Sequence, residues 1–220
     1  MTNSIKKKLL FIIKSFGYSI LFLLYGKIRG IIDSTKHESI KIFNTTLEQN
    51  YNYKIFQIKN CRIYTDAVTD TAFIIDNKII NGPSFQHRNP KNAEVSENIV
   101  FQKGTPKFKK KLRGNVFSLL TGGGGNANYW HWLFDVLPRL KILQTKKNLD
   151  EIDFFLFPDI KENYQFETLD ILNIPLKKRI SSKIFRHTHT DTALAVDHPY
   201  VLKNDASNEI QDLPKWILEY

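Results

Sequence analysis

Residues 115–140 read NVFSLLTGGGGNANYWHWLFDVLPRL, and this stretch limits the fold more than any other. A short apolar run precedes four glycines, and apolar residues then recur at helical spacing. That order is a strand, a permissive turn and a helix from about Ala127. The rhythm continues downstream, where IDFFLFP (Ile152 to Pro158) reads as a strand, Tyr164 to Leu172 as a helix, and short strands follow Arg179. Strands alternating with helices predict a parallel α/β sheet. Upstream the pattern is β-rich. YKIFQIKNCRIY (Tyr53 to Tyr64) reads as a strand, and AFIIDNKIING (Ala72 to Gly82) reads as a hairpin turning at Asp76-Asn77. Asp33 to Asn50 reads as a polar connector. The basic stretch KGTPKFKKKLRGN (Lys103 to Asn115) reads as a solvated loop or, alternatively, a patch facing phosphate.

A chain of 220 residues, 42% hydrophobic and 13% aromatic, can bury a core of its own. Its single cysteine, Cys61, excludes an intrachain disulfide and a thiolate-rich zinc site, and it favours a reducing compartment. The net charge of +10 suits an anionic partner, whether nucleic acid, a membrane surface or a phosphorylated substrate. The N-terminus, KKKLLFIIKSFGYSILFLLYGKIRG, has a longest charge-free run of 12 residues, Ser15 to Gly26, against roughly 20 needed to cross a bilayer. Residues 1–32 therefore read as an amphipathic helix. It lies either at a membrane interface, with its lysines near anionic headgroups, or against the protein's own core.

The helix after the glycines carries an unusual set of polar residues. At about 100° per residue, with His131 at zero, Asp135 falls near about 40°, Asn128 near about 60° and Arg139 near about 80°. They share one stripe on an otherwise apolar helix. Burying such groups without partners costs several kcal/mol, so they pair with one another or face a cleft. Taken singly, His131 is also what a buried, hydrogen-bonded histidine looks like, and Asp135 with Arg139 what a helical ion pair looks like. Pro138 is expected to kink or end the helix. The glycine loop and helix N-terminus suit close approach to an anion. A loose dinucleotide pattern, Gly122-x-Gly124-x-x-Ala127, leaves a nucleotide-dependent oxidoreductase as an alternative. No Walker lysine follows, and no His-x-x-x-His or carboxylate cluster points to a metal. His187-x-His189, in a strand, is a poor ligand pair by itself.

NYWHWLFDVLPRL (Asn128 to Leu140) resembles the signature of glycosyltransferase family 61: an aromatic pair, His, a hydrophobic stretch, Asp, then Leu-Pro-Arg-Leu. FFLFP, ILNIP and LPKWILEY extend the resemblance over roughly residues 50–220. It implies an α/β fold, the Rossmann-like N-terminal half of a GT-B glycosyltransferase behind a β-rich leading segment and the N-terminal helix. The implied reaction is transfer of a sugar from a nucleotide-sugar donor to a hydroxyl acceptor, a glycan among them, with inversion and with no metal or other cofactor, in surface polysaccharide or capsule synthesis. His131 or Asp135 serves as base with the other orienting it, and Arg139 or the loop amides meet phosphate. Gly123, Gly124, Gly125, Asn126, Asn128 and Trp132 bind substrate. A cytoplasmic protein, peripheral on the cytoplasmic face of the membrane, is expected, without a nucleic-acid partner. Because Leu213 to Tyr220 reads as a helix start, residues 50–220 are expected to be a truncated acceptor-side half. A non-catalytic glycan-binding half-domain is the other alternative.

Overall fold

A computed structural model describes residues 2–66, 70–84, 86–88, 91–120, 128–200 and 213–220. Helix α1 (Thr2–Tyr25) leads into strands β1 (Ile31–Ile32), β2 (Ile40–Glu48), β3 (Tyr51–Thr65), β4 (Thr71–Ile75) and β5 (Lys78–Ile80). A separate two-stranded ribbon, β6 (Gln86–Arg88) with β7 (Lys91–Ala93), and the short helix α2 (Val100–Lys103) follow. Next come β8 (Lys110–Ser118), α3 (Tyr129–His131), α4 (Pro138–Gln144), β9 (Phe154–Phe157), α5 (Asn163–Ile171), β10 (Arg179–Ser181), β11 (His187–Val196) and α6 (Lys215–Glu219). Among the described residues no helix is long and apolar enough to cross a membrane.

Among the described residues, nine strands form one mixed sheet in the order β1-β5-β4-β3-β11-β8-β9-β10, with β2 also paired to β3. The expected parallel sheet is therefore only half of the structure. β11, β8, β9 and β10 run parallel, whereas β2, β3, β4 and β5 pair antiparallel and β3 joins the halves by an antiparallel pairing to β11. Turn chemistry explains the antiparallel part. Asp76 (φ 48) and Asn77 (φ 59) both adopt the left-handed conformation that a two-residue hairpin turn requires. Asn50 (φ 76) does the same between β2 and β3.

Two segments expected to be irregular are strands. The connector expected from Asp33 to Asn50 contains β2, because IKIFNTTLE alternates apolar and polar residues and pairs along β3 from Ile40↔Ile58 to Glu48↔Tyr51. The sheet thus begins before residue 50. The expected loop from Lys103 to Asn115 contains the start of β8, whose lysines are carried by pairing with β11.

Counted along the chain, the parallel strands lie in the order third, second, first, fourth (β10, β9, β8, β11). Successive residues alternate between the two faces. Phe117, Phe155, Phe157, Leu194 and Val196 pack with Trp132, Val136, Leu140 and Leu169 of the helices. Val116, Leu156, Ala193 and Ala195 pack on the opposite face with Phe56, Ile58 and Phe73. The link from β10 to β11, residues 182–186, carries no helix, and Phe185 from it packs on that second face. The strand order reverses between β8 and β11.

Candidate active site

Asn128 caps α3. Its Oδ1 accepts from the Trp130 N–H at 2.9 Å and the His131 N–H at 3.5 Å, so the side chain expected to bind substrate is engaged at the helix end. Beyond His131 the helix widens. Trp132–Val136 form a π turn, in which the Leu137 N–H donates to the Trp132 carbonyl at 3.0 Å, and α4 restarts with Pro138 in its first turn. Proline lacks an N–H and its ring crowds the preceding turn; a π turn takes up that mismatch without a break. The kink expected at Pro138 takes this form.

The turn brings His131 and Asp135 together. His131 Nδ1 lies 2.5 Å from Asp135 Oδ2, with the imidazole side chain 44% exposed. Asp135 is only 4% exposed. Its Oδ1 accepts from the Tyr200 hydroxyl at 2.5 Å, and His198 Nε2 stands 4.0 Å from the same oxygen. Burial works against ionisation of this carboxyl. The His131 hydrogen bond, the charges of His198 and His131 and the Tyr200 hydroxyl outweigh burial and hold its pKa below the ordinary carboxylate value. Asp135 is therefore a buried carboxylate fixed by donors on both oxygens.

Arg139 is placed differently from the expectation. It is fully buried, and its Nε donates to the main-chain carbonyl of Asp135 at 2.6 Å. Burial pulls its pKa down to about 10 against the opposing charge of Asp135. A guanidinium enclosed in this way braces the π turn. Trp132, also expected on the substrate side, is fully buried instead. Its indole donates to Thr168 Oγ1 of α5 at 2.9 Å and packs on Phe157. The aromatic side chains on the open side of this helix are Tyr129, 56% exposed, and the half-buried Trp130, which lies against Phe134 with ring centroids 4.2 Å apart. Gly123, Gly124, Gly125 and Asn126 lie outside the described residues, as does the dinucleotide pattern around them.

The partners from the far end of β11 were not anticipated from the sequence. Asp197, His198 and Tyr200 follow the last residue of that strand. The signal available was VDHPY, a polar and aromatic cluster directly after an apolar strand. Asp197 Oδ2 accepts from the Lys54 N–H at 2.6 Å, and burial raises its pKa. Among the described residues no three His, Cys, Asp or Glu side chains gather as a metal site. The dyad on the helix after β8 and the cluster after β11 thus meet where the strand order reverses. In open α/β sheets that position outside the carboxyl ends of the strands is where ligands bind. Compared with known protein families and with curated proteins, the chain finds no matching family model and no matching protein.

Proposed function

We propose that this chain supplies the acceptor side of an inverting glycosyltransferase, with a Rossmann-like half in a GT-B arrangement, and transfers a sugar from a nucleotide donor to a hydroxyl acceptor. The observation that carries the proposal is the His131–Asp135 pair at the reversal of strand order, one member exposed and the other buried and ionised. Exposure assigns the roles. His131 is the group an acceptor can reach, and with Nδ1 bonded to the carboxylate the proton is taken at Nε2. Asp135 fixes the ring and stabilises the imidazolium, in the way a buried aspartate serves a histidine in other catalytic pairs. The acceptor oxygen then bonds to the anomeric carbon as the bond to the nucleotide breaks and the diphosphate departs with its electron pair. Arg139 acts as a positioning residue.

The test is release of nucleotide from UDP-, GDP- and CMP-sugars by the protein. His131→Ala is expected to lower turnover by roughly 10²–10⁴-fold. Asp135→Asn is expected to lower it as well, with the fold kept. Near-normal turnover in His131→Ala would sink the proposal. A non-catalytic glycan-binding module is the second reading, favoured by the exposed Tyr129 beside the half-buried Trp130, since aromatic faces suit sugar stacking. It predicts glycan binding that survives His131→Ala and is lost in Tyr129→Ala, with no nucleotide release from any donor.

A further inference from the structure

At the opposite ends of the parallel strands lies a second polar cavity of about 280 Å³, lined by Leu24, Tyr25, Arg62, Asn77, Lys109 and His189 among others. Basic side chains predominate in its lining. Arg62 on β3 stands opposite His189 on β11, which stands opposite Lys111 on β8, so three basic side chains form one row across three strands. Burial, together with the charges of Lys109, Lys111 and Arg62, pushes the His189 pKa down, so the imidazole gains a proton more readily when an anion sits beside it. Arg62 is also only 8% exposed, which makes an unneutralised charge there costly. Its guanidinium donates to the Tyr25 carbonyl and the Asn77 side-chain oxygen, both neutral acceptors, and among the described residues its other N–H groups find no acceptor. One carboxylate, Asp76, lines the cavity without an ion pair to Arg62. Asp191, whose charge acts on His189, accepts from the Gly114 N–H. The wall formed by Leu24 and Tyr25 is the end of α1, whose Phe16, Tyr18, Ile20 and Leu23 are exposed.

We propose that this cavity binds the tetrahedral oxyanion of a phosphate-bearing ligand, with the Arg62 guanidinium at its centre and Lys109, Lys111 and His189 around it. An arginine fork matches phosphate oxygens, and the desolvated charge that the fold leaves without a carboxylate is matched by the ligand's. Two sources present this chemistry. One is a lipid phosphate, delivered where the exposed apolar residues of α1 enter an acyl boundary. The other is a soluble phosphate or diphosphate. The site lies away from the His131–Asp135 pair and stands whether or not that pair performs glycosyl transfer.

The experiment uses the full chain and the double variant Lys109→Gln/Lys111→Gln, whose substituted side chains are exposed, so that the amide fingerprint should be retained. Titration with inorganic phosphate and with pyrophosphate is followed by NMR at the Arg62 side-chain N–H and the His189 ring. In parallel, co-sedimentation compares phosphatidylcholine vesicles with and without phosphatidic acid. A soluble source is shown by phosphate or pyrophosphate shifting both signals, with affinity falling at least tenfold in the double variant. A lipid source is shown by preference for phosphatidic acid vesicles, with that preference lost in the double variant. If neither anion moves the two signals and the double variant sediments like the parent, or if anion affinity is unchanged by the double substitution, the proposal is overturned.

Discussion

Replacing Tyr200 with phenylalanine removes a single oxygen from a ring that is only 6% exposed, and the structure says what that oxygen does. The hydroxyl donates to Oδ1 of Asp135 at 2.5 Å. The phenyl ring can keep its edge contact with His198, 4.6 Å between centroids, so the substitution opens little space and removes the hydrogen bond to Asp135. Bonds to a charged acceptor are worth about 1.5–3 kcal/mol, and about 2 kcal/mol of lost stability is expected for Tyr200→Phe at pH 7. The pH dependence carries the sign. The hydroxyl favours the ionised carboxylate and helps to depress its pKa below the ordinary 3.8, so the folded state binds a proton less readily than the unfolded chain. The contribution is therefore fully present above about pH 4 and is lost as pH falls through the depressed value. Urea unfolding followed by tryptophan fluorescence, at a series of pH values, measures the gap between the two proteins. A gap under about 0.5 kcal/mol at pH 7, the size of an ordinary surface substitution, would refute the account. So would a gap that does not narrow on acidification below pH 4.

Two further outcomes follow from the framework around the site. His187 is buried with its Nδ1 on the Lys107 carbonyl at 2.9 Å, and burial takes its pKa from 6.5 down to about 4. The unfolded chain binds the proton first, so this group contributes about 3 kcal/mol at about 1.36 kcal/mol per pKa unit, present above pH 6.5 and lost as pH falls toward 4. His187→Leu should flatten the stability profile over that interval, and an unchanged slope in denaturant titrations would count against it. Gly114 has φ +99, and a Cβ added there would collide with Asp153 Oδ2, which itself accepts from the Asn115 N–H at 2.7 Å. Gly114→Ala should cost about 1–3 kcal/mol from backbone strain alone, read as a lowered Tm, and an unaltered Tm would show that the β8 backbone relaxes freely at this position.

Much of the local architecture is legible in the residues themselves. Asp76-Asn77 between two Ile pairs specifies a hairpin because those two residue types tolerate left-handed backbone. FFLFP and the Tyr164 to Leu172 segment declare a strand and a helix through periods that depend only on near neighbours. The pairing of His131 with Asp135 was within reach for the same reason, since residues four apart meet on one side of a helix. Other features were decided by packing. β2 was hidden by its polar residues, because what makes it a strand is β3 alongside it. The resemblance places Trp132 and Arg139 on the substrate side, and only the position of α5 and the π turn ahead of Pro138 shows them enclosed. Asp135 receives the Tyr200 hydroxyl across 65 positions of chain, and Arg62, His189 and Lys111 line up from three strands. No local pattern encodes such meetings. They exist because burying apolar residues on both faces of the sheet sets β11 between β3 and β8, and strand order then determines which distant polar groups must share a low-dielectric space.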